Sequence, residues 1–148
     1  VGVERAEVAG VDPAVGVEDG LVVPGVKNVE TMTLAHLSAE AKRVVENARN
    51  GKLENIGQGN FTITNLGMFG VEEFAAIINP PESAILALGT VREAVIVQNG
   101  AMRPGRVMTM TLSADHRVVD GLLAAKFLGR LKEILENPGA ELTQREDH

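Results

Sequence analysis

In the segment SADHRVVDG, residues 113–121, His116 is separated by three residues from an Asp-Gly pair, Asp120 and Gly121. The segment directly follows the alternating stretch RVMTMTL, so the imidazole falls where a strand ends and a helix is about to begin. A histidine in such a loop can act as a general base, since loops held on rigid scaffolds carry a large share of catalytic groups. The same residues admit a plainer reading: a polar turn in which Asp120 caps the next helix and Arg117 is solvated. The other histidines offer less chemistry, because His36 sits inside a helical pattern and His148 is the last residue. With no cysteine in the chain, disulfides, thiolate metal sites and cysteine nucleophiles are excluded within it.

The elements that must position His116 can be read from periodicity and turn chemistry. Residues 1–30 are rich in Val and Gly, and VGVEDGLVVPGV predicts a hairpin turning at Asp19-Gly20. Leu34, Leu37, Ala41, Val44, Val45 and Ala48 recur at helical spacing, with Thr33 as the cap and Gly51 as a left-handed terminator. NFTITNLG, residues 60–67, places Phe61 and Ile63 on one face and Thr62 and Thr64 on the other, the pattern of a strand with one buried face. In AIINPPESAILALGTV, Pro80-Pro81 imposes an extended turn before a further apolar strand. REAVIVQNGAMRPGRVMTMTLS predicts two strands joined around Asn99-Gly100 by a loop longer than a tight two-residue turn. Leu122, Phe127, Leu128, Leu131, Ile134 and Leu135 then form an amphipathic helix stopped near Pro138-Gly139, and QREDH is expected to be a frayed tail. The chain has no internal repeats or low-complexity tracts.

At 148 residues the chain is expected to form a single domain, residues 1–148, large enough to bury a core. That core must be aliphatic, since aromatic residues make up only 3% and neither Trp nor Tyr occurs. Fourteen basic against twenty acidic side chains, a formal charge of -6, argue against nucleic acid or an anionic membrane as a partner. Phosphate-bearing small ligands remain compatible. No apolar run reaches the ~20 residues of a membrane span, and the N-terminus lacks the pattern of a signal peptide, so a soluble protein is expected.

FTITNLGMFGVEEFAAIINPPESAILALG followed by SADHRVVDG closely resembles the catalytic domain of the dihydrolipoamide acyltransferase component of 2-oxo acid dehydrogenase complexes. VGVEDGLVVPGVKN and ARNGKL fit the same family in the same order, so the resemblance runs from about Ala14 to Pro138. Chloramphenicol acetyltransferase shares the His-x-x-x-Asp-Gly signature but resembles the remainder far less. The resemblance implies transfer of an acyl group between the thiols of coenzyme A and dihydrolipoamide, the lipoyl group being carried on a separate domain. NLGMFGVEEFAAIINPP looks closest to members of the pyruvate complex, which points to acetyl.

Site roles follow from the resemblance. His116 matches the family's general base. Thr64 stands where the family usually has serine and is the expected hydroxyl donor to the tetrahedral oxyanion; it keeps the hydroxyl but adds a methyl and a stiffer χ1. Asn65 could orient either group. Asp120 matches the signature aspartate, either as a helix cap and ion-pair partner that fixes the His116 loop or as a direct electrostatic partner of the charged histidine, and the structural role is favoured. Arg117 supports that loop, and Gly121 is expected to permit a sharp exit from it. No residue becomes acylated and no metal is implied.

The implied fold is a two-layer α/β sandwich of the coenzyme A-dependent acyltransferase type, a mixed sheet with helices on one face. The implied assembly is a homotrimer built into a polyhedral core, with His116 of one subunit facing Thr64 of the next. The expected partners are a lipoyl domain and the 2-oxo acid decarboxylase and dihydrolipoamide dehydrogenase components. Nothing before about Ala14 matches the family's upstream part, so the chain is expected to be the C-terminal portion of the catalytic domain, without lipoyl or peripheral-subunit-binding domains. The family works in the cytoplasm of bacteria and the mitochondrial matrix of eukaryotes. Two other classes stay open: a non-catalytic homologue of the same fold, which the retention of His116 and the Thr64 hydroxyl argues against, and a free-standing O-acetyltransferase for small alcohols.

Overall fold

A computed structural model of the chain describes residues 10–18 and 20–139. In chain order its elements are β1 (Gly10–Pro13), β2 (Val15–Val17), β3 (Gly20–Val22), β4 (Val26–Lys27), α1 (Leu34–Arg49), β5 (Phe61–Asn65), β6 (Ala84–Leu88), β7 (Arg92–Gln98), β8 (Ala101–Val107), β9 (Met110–Ala114) and α2 (Gly121–Glu136).

The apolar run Ala84–Leu88 explains the centre of the fold. A strand reads as continuously apolar when both its faces are covered, and four of the five β6 residues are buried. Strand β6 lies inside a five-stranded sheet ordered β4-β1-β5-β6-β9, in which β1, β5 and β6 run parallel while β4 and β9 pair antiparallel at the edges. Val15, Val26, Val44 and Ala48 complete an aliphatic core. Both helices start on caps visible in the sequence: the Thr33 hydroxyl accepts from the His36 N–H at 3.2 Å, and the Asp120 carboxylate accepts from the Leu123 N–H at 2.7 Å. Gly51, at φ 79°, ends α1 in the left-handed region. Helix α2 is joined to the Phe face of β5 by a tilted ring contact, Phe61 to Phe127, with centroids 5.6 Å apart. The two-layer α/β architecture with a mixed sheet is the one expected.

Three local expectations need correction. The Thr face of β5 is not the solvent side: Thr62 is 1% exposed while Phe61 and Ile63 are only half-buried. With β1 on one side and β6 on the other, β5 is an inner strand whose alternation separates two covered faces rather than inside from outside. The Asn99-Gly100 turn is tight, because Gln98 pairs directly with Ala101 and both turn residues take positive φ, 53° and 78°. The stretch RVMTMTL belongs to two strands, the end of β8 and the whole front of β9, so residues 92–113 hold three strands rather than two.

The early hairpin forms between β2 and β3, with Val17 paired to Gly20; Asp19 itself lies outside the described residues, as does the tail 144–148. Among the described residues no helix is long and apolar enough to cross a membrane.

Candidate active site

His116 is exposed at the tip of a turn that its neighbours hold firmly. The Asp115 N–H donates to the Ser83 carbonyl at 2.8 Å, and the Asp115 carbonyl accepts from the amides of Val118 and Val119 at 2.9 Å each. The Asp115 carboxylate accepts from the Arg117 backbone N–H at 3.0 Å and pairs with its guanidinium, the shortest contact being 2.6 Å. Hydrogen bonds from Arg117 hold the Asp115 carboxyl down at about 2, so the pair is charged throughout the range where a histidine titrates. Arg117 therefore supports the loop through Asp115, and Asp120 contributes as the cap of α2.

Gly121 is not needed for the role expected of it. It is the first residue of α2, its φ lies outside the left-handed region, and a Cβ there would meet nothing within 4 Å. The turn leaves the loop through ordinary helical geometry, which any residue adopts.

Thr64 sits half-buried near the end of β5, on the face it shares with Thr62. Both line a cleft of about 310 Å³ whose far wall is the segment before β6, including Ile77, Asn79 and Pro80. The Thr64 hydroxyl thus opens onto a space with apolar walls, where a hydrogen bond to a developing charge is worth more than in water. Asn65 faces the other way. Its side-chain oxygen accepts from the Gly67 N–H at 2.8 Å and opens the turn Gly67–Phe69, so it shapes the exit of β5 and orients neither Thr64 nor His116.

The sheet register separates the two principal candidates. Thr64 is level with Ala87 of β6 and Thr111 of β9, and β9 runs antiparallel to both β5 and β6. His116 follows the end of β9 at Ala114, which is level with Ala84 at the start of β6. Two strand spacings across and three residues along place the Cα of Ala114, two residues before His116, about 14 Å from that of Thr64.

Sequence reasoning missed an acidic pair on the Thr64 face. Asp12 of β1 is fully buried and accepts from the Gly59 N–H at 3.2 Å, while Glu82 accepts from the hydroxyl of Thr62, the register neighbour of Asp12, at 2.6 Å. Burial is the main cause raising both carboxyls above their ordinary range. The signal was present as a lone acid within the apolar run AGVDPAVGV. Among the described residues no three His, Asp or Glu side chains converge in a way that could hold a metal ion.

The family described as 2-oxoacid dehydrogenases acyltransferase (catalytic domain) matches residues 9–143, most of the chain. The chain belongs to this family. Among curated acyltransferases, it is 45% identical over 131 residues to the dihydrolipoyllysine-residue acetyltransferase component of the pyruvate dehydrogenase complex of Rickettsia felis, covering 87% of this chain and 32% of that protein. The mitochondrial counterpart in Schizosaccharomyces pombe is 48% identical over 130 residues, covering 84% and 27%. The dihydrolipoamide acetyltransferase of Azotobacter vinelandii superposes with a TM-score of 0.85 at 37% identity, over 90% of this chain and 56% of that one. That structure was examined for the role of a serine, a histidine and an asparagine in the catalytic mechanism. A probable dihydrolipoamide acetyltransferase of Listeria monocytogenes gives 0.84 at 33% identity, over 93% and 60%. The chain therefore spans about a third of the length of the curated relatives and somewhat over half of the solved acyltransferase cores.

Proposed function

We propose that the chain supplies catalytic residues of a dihydrolipoamide acyltransferase, moving an acyl group, acetyl in the favoured reading, between dihydrolipoamide on a lipoyl domain and coenzyme A. One observation carries the assignment of residues. In the Azotobacter enzyme the serine and histidine are 52 positions apart and the histidine and asparagine 4 apart, and Thr64, His116 and Asp120 have the same separations here. The residue at the third place is amide there and acid here, which favours a hydrogen-bonding role for Asp120 over one that needs its charge.

The chemistry follows from the side chains. A thiol of pKa about 8.5 is only a few per cent thiolate near neutrality. His116 takes the proton from the coenzyme A thiol as its sulfur attacks the acyl-dihydrolipoamide thioester carbonyl. The carbonyl oxygen becomes an oxyanion, and the Thr64 hydroxyl donates to it. Collapse of the intermediate breaks the bond to the dihydrolipoamide sulfur, which takes the proton back from His116, leaving acyl-coenzyme A and a free dihydrolipoamide thiol. No step needs a metal or a covalent enzyme intermediate.

Because Thr64 and His116 lie at opposite ends of one sheet, the site is read as shared between neighbouring copies in a homotrimer. The exposed apolar side chains of α2, Leu122, Leu123 and Phe127, fit burial in such an assembly. A further relative at TM-score 0.85 forms the cubic core of a pyruvate dehydrogenase multienzyme complex, which supports a polyhedral core with lipoyl-domain, decarboxylase and dihydrolipoamide dehydrogenase partners. The relatives include bacterial and mitochondrial proteins, in keeping with a cytoplasmic or matrix location. The test is transfer to dihydrolipoamide from acetyl-, succinyl- and branched-chain acyl-coenzyme A by the assembled protein. Acetyl should be preferred, and His116→Ala should lower turnover by at least about a hundredfold with assembly intact. Near-normal turnover in the assembled variant would remove His116 from the mechanism.

A further inference from the structure

Two asparagines in the chain precede glycine, Asn50 and Asn99. A glycine has no side chain to shield its amide nitrogen, which can therefore close a five-membered ring on the carbonyl carbon of the preceding asparagine side chain. Every other asparagine precedes a residue with a side chain, and at Asn79 and Asn137 that residue is proline, which has no N–H to give up. By sequence the two Asn-Gly sites are equal. The fold makes them different.

Asn50 caps the C-terminal end of α1. The nitrogen that would attack, on Gly51, donates to the Ala48 carbonyl at 3.1 Å, and the next amide, on Lys52, donates to the Asn47 carbonyl at 2.8 Å. Before it can react, the Gly51 N–H must leave its hydrogen bond, and the end of the helix must turn away from φ -89° and ψ 11° at Asn50. Asn99 and Gly100 instead sit at the tip of the β7–β8 hairpin, and both are exposed. Among the described residues the Gly100 N–H has no acceptor and the Asn99 side chain has no partner, so neither the nucleophile nor the group it attacks is held.

We propose that Asn99-Gly100 is a site of spontaneous deamidation, with water as the co-reactant, and that its isoaspartate product undoes the β7–β8 turn, while the cap of α1 protects Asn50-Gly51. A base in solution takes the proton from the Gly100 nitrogen, which then bonds to the carbonyl carbon of the Asn99 side chain. The bond from that carbon to its amide nitrogen breaks, and the nitrogen leaves as ammonia with a proton from solvent. Water opens the resulting ring. Attack at the side-chain carbonyl gives aspartate; attack at the main-chain carbonyl gives isoaspartate, whose backbone runs through the side chain and is one atom longer. Nothing is oxidised or reduced.

The two products differ in what the turn can accept. Its two residues both take positive φ, 53° and 78°, between the directly paired Gln98 and Ala101. Aspartate tolerates that conformation as asparagine does. The longer backbone of isoaspartate does not fit the two-residue loop. Strands β7 and β8 pair only with each other, and Val95, Val97 and Met102 on one face are 72%, 71% and 79% exposed. A two-stranded ribbon of this kind is marginal by itself, so the turn carries much of its register. On the other face the register matters to Ile96, because a Cβ at Gly105 would fall 2.6 Å from Ile96 Cδ1; a slip by one residue replaces that glycine with Pro104 or Arg106.

The test is ageing of the assembled protein in mildly alkaline buffer, with the same chain unfolded in guanidinium chloride as reference. Peptide mass spectrometry with electron-transfer fragmentation measures aspartate and isoaspartate at each dipeptide. In the folded protein Asn99 should be converted at least about tenfold faster than Asn50, the factor that one backbone hydrogen bond at the upper end of its usual net strength represents. In the unfolded chain the two rates should converge. Equal rates in the folded protein, or an Asn99 spared in the assembly but converted in the unfolded chain, would overturn the site. Hydrogen exchange reads the effect on the turn: β7–β8 amides should exchange faster in aged protein enriched in isoaspartate than in fresh wild type or a freshly purified Asn99→Asp variant, which carries the aspartate product alone. Unchanged protection in the isoaspartate form, or an equal loss of protection in Asn99→Asp, would overturn that effect.

Discussion

Thr64 stands at the C-terminal end of β5, and His116 lies beyond the opposite end of the same sheet, two strands across. The separation follows from β9 running antiparallel to β6, which carries the chain back to the start of the parallel strands before it reaches the histidine. If neighbouring copies supply the missing halves of each site, mixing His116→Ala and Thr64→Ala subunits should regenerate sites with both groups intact. Co-expression with two different tags, followed by an assay of doubly purified assemblies, measures this. Activity no higher than that of the separate variants would place both residues in one chain or remove one from the mechanism.

Thr64→Ala should lower kcat with little change in KM for coenzyme A, because an oxyanion donor acts mainly in the transition state. A loss of about a hundredfold or more is the size expected for one such donor. Thr64→Ser keeps the hydroxyl and should keep most of the turnover. A variant that only weakens binding would make Thr64 a ligand contact.

For Asp120 the prediction turns on charge. As the cap of α2, its side-chain oxygen accepts from the Leu123 N–H, a bond an asparagine oxygen can also make. Asp120→Asn should therefore change neither stability nor kcat appreciably, whereas Asp120→Ala should cost about 1 kcal/mol of stability, measured by denaturant unfolding. A large fall in kcat for Asp120→Asn at unchanged stability would assign the carboxylate an electrostatic role toward His116.

Glu54 should make stability depend on pH on the acid side. Hydrogen bonds from Arg43 and Asn47 hold its carboxyl at about 2, below its ordinary value of 4.5. A depressed folded value contributes stability above the ordinary one and loses it as pH falls through the folded one. The thermal midpoint of wild type should thus exceed that of Glu54→Gln near neutrality, and the difference should shrink as pH falls from about 4.5 towards about 2. A difference that stays constant over that range would mean Glu54 acts through packing alone.

Local chemistry was the legible part of this chain. Thr33 and Asp120 announce their helices because a cap needs only a side-chain oxygen and an amide three positions on, and His116 stood out by its place between a strand and a helix. What depended on distant partners was not legible. Thr62 looks solvent-facing within FTITN until β1 and β6 are placed on either side of it, and nothing near Asp12 in the sequence shows that Gly25 and Gly59 close over it. Asn99-Gly100 was overextended because the break between β8 and β9 at 108–109 carries no Gly or Pro to mark it. The distance between Thr64 and His116 was invisible for the same reason: it is set by the direction of β9, which no local pattern encodes.

The pairing of Val11 with Phe61, fifty positions later, has a consequence for the order in which the protein folds. The β7–β8 hairpin closes on a two-residue turn and can form unaided within about 1–10 μs. The strand bearing Thr64 has no such shortcut. It needs β1 from far upstream on one side and β6, with Thr62 opposite Ile85, on the other, and each closure costs chain entropy before any contact rewards it. During synthesis, at roughly 5–20 residues per second, FTITN emerges well before Ala84–Leu88 and waits as an unprotected edge. The segment that carries Thr64 is thus among the last to be enclosed, and slow or faulty folding will damage it while the hairpin still looks native.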